Sequence, residues 1–196
     1  MNNLEAFWKF TDQLVLLMPR EKQRIQPYLQ TKSVPKGTIL VDLGAIARET
    51  YFIVKGCLRF YYLTDEGKEI TGFIFQEYMF AGSHESFFSQ VPSVQVLECL
   101  EDSELITLTY SDLQQLFEEV PRMNVLVRKL LEQRMANAQR VLASLIIHKP
   151  EERYTRLLDQ QPELLQRIPH HILATYLGIT PVSMSRIRRK IRDKED

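Results

Sequence analysis

The spacing of apolar residues changes along the chain at about residue 110. Before that point, short runs rich in β-branched and aromatic residues alternate with glycines, and six of the seven glycines lie between residues 37 and 82. The runs cover residues 38–41, 51–54, 58–62, 70–75, 94–97 and 105–109. Short strands joined by tight turns at this spacing predict an antiparallel barrel or jelly roll.

Helical spacing surrounds this β-rich region. Residues 4–29 have helical character and are interrupted by Pro19 and Pro27. Ser111 and Asp112 predict the N-cap of another helix, and a long helix follows Pro121 and ends near residue 148. One apolar seam on it consists of Met123, Val127, Leu131, Met135, Ala138, Leu142 and Leu145. The seam predicts pairing with a second copy of the chain, and packing on its own barrel is the alternative.

The last part of the chain predicts two short helices joined by a tight turn. Ala174 is small enough for two helices to cross closely, Gly178 suits a left-handed helix end, and Thr180 with Pro181 suits the start of the next helix. The expected shared core is Leu173, Leu177, Ile179, Met184 and Ile187. This order of elements predicts a helix-turn-helix.

The second of these helices is basic. Residues 181–192 contain five basic residues and no acidic one. Ser183, Arg186 and Arg189 follow at steps of three and predict one face directed at the major groove, with Arg186 at base edges and Arg189 at phosphate. The candidate DNA-binding residues are Thr180, Ser183, Ser185, Arg186, Arg189 and Lys190. The alternative is a solvated basic helix.

Composition adds little to this pattern. Lysine plus arginine and aspartate plus glutamate both number 25, so the DNA-binding prediction rests on local charge alone. The first residues lack a secretory signal pattern, and no apolar run is long enough to span a bilayer, so we expect a cytoplasmic protein with no membrane partner. Cys57 and Cys99 are the only cysteines and are expected to stay reduced.

Three stretches together resemble the Crp/Fnr family of transcription regulators. They are residues 35–44 with their Pro-Lys-Gly-Thr start, residues 51–61 with the turn at 65–68, and residues 172–190. The resemblance implies an α+β fold in which residues 1–120 form a cyclic-nucleotide-binding-type jelly roll, 121–148 a dimerisation helix and 149–196 a winged helix-turn-helix. It also implies a homodimer that binds double-stranded DNA at palindromic promoter sites and acts with RNA polymerase.

The segment that would hold an effector departs from the cyclic-AMP-binding pattern. Gly82 matches, but Ser83 stands where glutamate is expected, and no arginine lies near Ser93 and Val94. The candidate effector residues are Gly82, Ser83, Glu85, Ser86, Ser93 and Val94. We therefore predict that a small-molecule effector, if bound, is not cyclic AMP, and we assign no cofactor. Too few residues follow Ile191 for a wing hairpin, so a wing is expected at 164–168 or in reduced form.

Two other functions are alternatives to DNA binding. A cupin-like metal enzyme needs several histidines in the barrel, and His84 is the only one there. We interpret His84 and Glu85 as a polar pair in a loop or at the surface, not as metal ligands. A ligand-binding regulatory protein acting through a protein partner would not need the basic helix. No catalytic residue or metal site is predicted.

Overall fold

The computed structural model describes residues 3–195, with side-chain surroundings for residues 3–191. The helices formed by the described residues are α1 (Asn3–Leu14), α2 (Pro19–Ile25), α3 (His84–Ser89), α4 (Tyr110–Glu119), α5 (Arg122–Ile147), α6 (Pro150–Gln160), α7 (Pro162–Arg167), α8 (His170–Tyr176) and α9 (Pro181–Glu195). The strands are β1 (Gln30–Val34), β2 (Ile39–Val41), β3 (Glu49–Lys55), β4 (Leu58–Leu63), β5 (Glu69–Phe75), β6 (Phe80–Ala81), β7 (Val96–Cys99) and β8 (Ser103–Thr109).

The strands form two four-stranded sheets, in the orders β1-β8-β3-β6 and β2-β7-β4-β5. Every strand pair with a resolved register is antiparallel, with Phe52 opposite Ile106 in one sheet and Leu58 opposite Cys99 in the other. Phe52, Leu58 and Ile106 are buried, together with Leu97 and Leu105. Phe52 and Ile106 pack against Phe7 of α1, whereas Leu105, which precedes Ile106 in β8, points to the opposite face of the same sheet. The predicted jelly-roll-like β domain is therefore confirmed as two antiparallel sheets, and the first of them carries buried apolar residues on both faces.

Gly56 makes the turn from the first sheet into the second. Its φ is +107°, and a Cβ at this position would lie 2.3 Å from the side-chain oxygen of Ser103. The Gly56 N–H donates a hydrogen bond of 2.9 Å to Glu77 Oε1. A side chain is excluded here by both backbone conformation and space.

The start of α4 differs from the sequence prediction. Thr109, not Ser111 or Asp112, is the N-cap, because the Thr109 hydroxyl accepts a hydrogen bond of 3.1 Å from the Asp112 N–H. Thr109 ends a strand with extended backbone, which is the conformation an N-cap residue needs. Ser111 already lies inside the first helical turn.

The long helix α5 exists as predicted and has 26 residues. The predicted seam is not exposed along its whole length, because Met123 is buried in the single chain, as is its neighbour Leu126. The exposed members of the predicted seam begin further along the helix, at Leu131, and continue through Met135, Leu142 and Leu145. The first member of the predicted seam is therefore core.

The chain divides into two compact units. Among the described residues, one unit contains 3–61 and 74–134, and the other contains 62–73 and 135–195. In the second unit, the Thr71 N–H donates to Thr175 Oγ1 at 3.2 Å, and the two hydroxyls lie 2.9 Å apart. Strand β5 is thus bonded to helix α8 within this unit.

The expected wing is not formed where it was predicted. Residues 162–167 are the helix α7, and no strand follows β8 among the described residues. Pro162 at the first position and the helix-forming sequence Glu-Leu-Leu-Gln-Arg explain why this stretch is helical.

In the described part of the chain, no helix is long and apolar enough to cross a membrane.

Candidate DNA-binding and effector sites

Helices α8 and α9 pack through the small, apolar core that the sequence predicts. Leu173, Ala174 and Leu177 of the first helix and turn are buried, as are Met184 and Ile187 of α9. Gly178 has a φ of +65°, and a Cβ there would lie 3.2 Å from Leu145. The turn between the helices therefore needs a residue without a side chain.

Thr180 caps helix α9. Its hydroxyl accepts a hydrogen bond of 3.1 Å from the Ser183 N–H and lies 3.0 Å from the Ser183 hydroxyl. Ser183 is only partly exposed. Of the six candidate DNA-binding residues, these two are thus engaged with each other at the start of the helix.

The exposed face of α9 is centred on other residues. Successive side chains are about 100° apart around a helix, so Val182, Ser185, Arg186 and Arg189 fall within roughly a third of its circumference. All four are exposed, and they lie opposite the buried Met184 and Ile187. Sequence reasoning found Ser185 and the two arginines but missed Val182, because an isolated apolar residue was not considered as a contact.

The basic residues of α9 differ in their partners. Lys190 Nζ lies 2.8 Å and 2.9 Å from the two carboxylate oxygens of Glu151 in α6, and Arg188 Nη1 lies 2.9 Å from His170 Nδ1. Arg186 and Arg189 form no ion pair with any residue in the described part of the chain. Within the described residues, these two arginines have no ion-pair partner, whereas Lys190 of α9 pairs with Glu151 of α6.

The effector segment contains a closed network of hydroxyl groups. Ser83 Oγ and Ser93 Oγ lie 2.8 Å apart, and the Ser93 hydroxyl donates to the Gln95 carbonyl at 2.7 Å. Ser86 is bonded elsewhere, since its hydroxyl donates to the Val91 carbonyl at 2.6 Å and accepts from the Ala47 N–H at 2.8 Å. These serines are buried and neutral.

The structure does not bring all six candidate effector residues together. Glu85 and Val94 are exposed, whereas Gly82, Ser83, Ser86 and Ser93 are buried. The segment between them forms the short helix α3, which places Glu85 on its outer side. The buried part of the site therefore contains no acidic or basic side chain from the predicted set.

His84, the first residue of α3, interacts electrostatically with Arg134 of α5, which is far from it in the sequence. The Arg134 guanidinium lies 4.7 Å from the ring centre of Phe75 and 5.5 Å from that of Phe60. His84 Nδ1 is 2.8 Å from the Gly82 carbonyl. Burial, with the charge of Arg134, lowers the pKa of His84 to about 4.

The lowered pKa of His84 predicts acid destabilisation. In the unfolded chain, His84 binds a proton below about pH 6.5, whereas in the folded chain it binds one only below about pH 4. The free energy of unfolding is therefore expected to fall as the pH drops from about 6.5 towards 4. The slope is at most ~1.4 kcal/mol per pH unit. Urea denaturation between about pH 7 and pH 5 measures this slope. His84→Gln is expected to flatten it, and equal slopes for both proteins would contradict the prediction.

Both cysteines lie in the β domain as free, buried thiols. Burial raises the pKa of the Cys99 thiol to about 11, so this group is not the reactive thiolate form near neutral pH. Among the described residues, no group of three or more histidine, cysteine, aspartate or glutamate side chains could hold a metal ion.

Residues 31–120 match the sequence profile of the family described as cyclic nucleotide-binding domain. Among curated proteins, none matches the sequence significantly. The c-di-GMP-responsive global regulator CLP of Xanthomonas campestris shares the fold with a TM-score of 0.73 at 21% identity, covering 91% of this chain and 93% of its own.

Two further solved structures have the same fold. FixK2 of Bradyrhizobium japonicum has a TM-score of 0.74 at 17% identity, covering 85% of this chain and 86% of its own. A putative Crp/Fnr-family transcriptional regulator of Eubacterium rectale has a TM-score of 0.71 at 20% identity, covering 91% and 85%. Residues 31–120 therefore form a cyclic nucleotide-binding-type domain, and the chain has the fold of these solved structures, one of which is described as a regulator of the Crp/Fnr family.

Proposed function

We propose that this chain is a homodimeric transcription regulator that binds palindromic sites in double-stranded DNA through α9. The observation that carries the proposal is the exposed face of that helix, where Arg186 and Arg189 lie opposite the buried Met184 and Ile187. A helix with one buried face and one basic face, preceded by a short helix and a tight turn, is suited to the major groove. RNA polymerase is the expected further partner, and no feature favours an enzyme.

The proposed dimer interface is the exposed part of the α5 seam. Leu131, Met135, Ala138, Leu142 and Leu145 lie on one side of the helix, since they are spaced by three or four residues, and all are exposed. Val127 is partly exposed at the edge of this surface, and Met123 is buried and does not belong to it. An apolar stripe of this length on a surface helix supports pairing with a second copy.

DNA binding can be tested without knowledge of the operator. The full chain is mixed with a pool of duplexes that contain a randomised segment, and bound duplexes are separated by gel electrophoresis and sequenced over several rounds. We expect enrichment of an inverted repeat whose half-sites are about one helical turn apart, ~34 Å. Failure to enrich any sequence would overturn the proposed function.

Cyclic AMP is not expected to bind at micromolar concentration. A cyclic phosphate would meet the mutually bonded hydroxyls of Ser83 and Ser93 in place of a carboxylate and a guanidinium. Loss of one charge-assisted pair to the phosphate costs about 2 kcal/mol or more. Isothermal titration calorimetry checks the prediction, and saturable binding with a micromolar dissociation constant would contradict it.

The effector, if the domain has one, is proposed to be a different small molecule. Residues 1–120, 121–148 and 149–196 remain the proposed sensor, dimerisation and DNA-binding segments. A protein partner in place of DNA is the alternative function, and the face of α9 described above gives no support for it.

A further inference from the structure

Val182 is an unusual residue for the surface it occupies. Its side chain is 62% exposed. Among the described residues from 150 onwards, it is the only large apolar side chain exposed to this extent. Isolated exposed apolar residues are common on protein surfaces. Whether Val182 has a functional role therefore depends on the residues around it.

The neighbours of Val182 are the residues that the proposed function directs at DNA. Arg186 follows it by one helical turn and Arg189 by two, and Ser185 lies beside it on the same face. Val182 is the second residue of α9 and comes directly after the start that Thr180 caps. In a helix-turn-helix, the first residues of the second helix are the ones that reach base edges.

We infer that Val182 contacts the C5-methyl group of a thymine and thereby makes the protein select an A·T pair at one position in each half-site. This inference rests on the proposed function, since it assigns a role within the same DNA-binding face. The thymine methyl is the one apolar group that bases present in the major groove. A valine cannot hydrogen-bond, so placing it against the amino group of cytosine or adenine or against guanine O6 would desolvate a polar group without a partner.

Exchange of thymine for uracil tests this contact, because uracil lacks only the methyl group. An inverted-repeat duplex enriched by the full chain is synthesised with each thymine in turn replaced by uracil, symmetrically in both half-sites. At one position we expect affinity to fall by about fourfold per half-site, the factor that corresponds to one buried methyl group. Fluorescence anisotropy with labelled duplexes measures the change.

Variants of Val182 connect that methyl group to this side chain. Val182→Ala is expected to bind the thymine duplex about fourfold more weakly per half-site and to bind thymine and uracil duplexes equally. Val182→Ile retains an apolar side chain and is expected to keep the preference for thymine. Because Val182 is exposed, both variants are expected to melt at the wild-type temperature.

Arg189→Ala is the matched control on the same face. It is expected to weaken binding to thymine and uracil duplexes by the same factor. The inference is overturned if no uracil substitution changes wild-type affinity, or if Val182→Ala keeps the thymine preference. Failure to bind any duplex specifically would instead overturn the proposed function, and the inference with it.

Discussion

A chain that carries both Leu131→Glu and Leu142→Glu is expected to be monomeric and to lose most of its affinity for a palindromic site. The two leucines are 37% and 59% exposed in the single chain, so the glutamates meet solvent there and leave the fold intact. In a dimer across this stripe, like charges would face each other without a partner. Light scattering measures the mass, and anisotropy measures DNA affinity.

Loss of the dimer should affect DNA binding more than any single contact. A dimer presents two linked copies of α9, and such a pair binds a palindrome more tightly than one copy does by a factor of about 10² to 10⁴. We therefore expect the double variant to bind a full palindrome and an isolated half-site almost equally. This equality distinguishes a lost interface from a damaged α9, which would weaken both.

Val125→Glu is the matched control for the interface. Val125 is 37% exposed, as Leu131 is, but it lies about 120° away around α5. It is expected to remain dimeric and to bind DNA like the wild type. If the Leu131 and Leu142 double variant also stays dimeric, the exposed stripe of α5 is not the interface.

Arg186→Ala is expected to reduce affinity for the operator by roughly 1–3 kcal/mol per half-site and to relax the preference at one base pair. The reason is its place one turn into α9 on the exposed face, with no ion-pair partner among the described residues. A guanidinium reads guanine through two hydrogen bonds, and alanine makes neither. Binding to a set of single-base operator variants measures the lost preference.

Arg189→Ala provides the comparison for Arg186. It is expected to weaken binding to all sequences about equally and to lower the salt dependence by about one phosphate contact per subunit. Thermal melting tests whether Arg186 has a structural role instead. Because Arg186 is exposed and has no ion-pair partner among the described residues, Arg186→Ala is expected to melt at the wild-type temperature. An Arg186→Ala protein that melts several degrees lower and keeps its base preferences would show that this arginine is structural.

The sequence predicts those features that depend on local stereochemistry. Gly56 and Gly178 have positive φ, and Thr180 caps α9. Few residue types suit these backbone positions, so a glycine or threonine in such a context already indicates a turn or a helix start. The alternation of glycines with β-rich runs likewise predicts the two sheets. The buried and exposed sides of α9 follow from helical periodicity, which is fixed once the helix is assigned.

Features that depend on distant partners could not be predicted in this way. The Arg134 guanidinium of α5 lies against the rings of Phe60 in β4 and Phe75 in β5, and helical periodicity alone cannot show these contacts. The same holds for Lys190, which a basic run assigns to DNA but which pairs with Glu151. Ser183 lies at the side of the exposed face, since a three-residue step only approximates the direction of that face.

The hydrogen bond between Ser83 and Ser93 limits how this domain can evolve. Both positions are almost fully buried, at 1% and 3% exposure. A single replacement by glutamate or arginine would bury one charge without its counterpart, at a cost of several kcal/mol, which is comparable to the stability of a whole domain. An oppositely charged pair at these two positions would therefore require both serines to be replaced together.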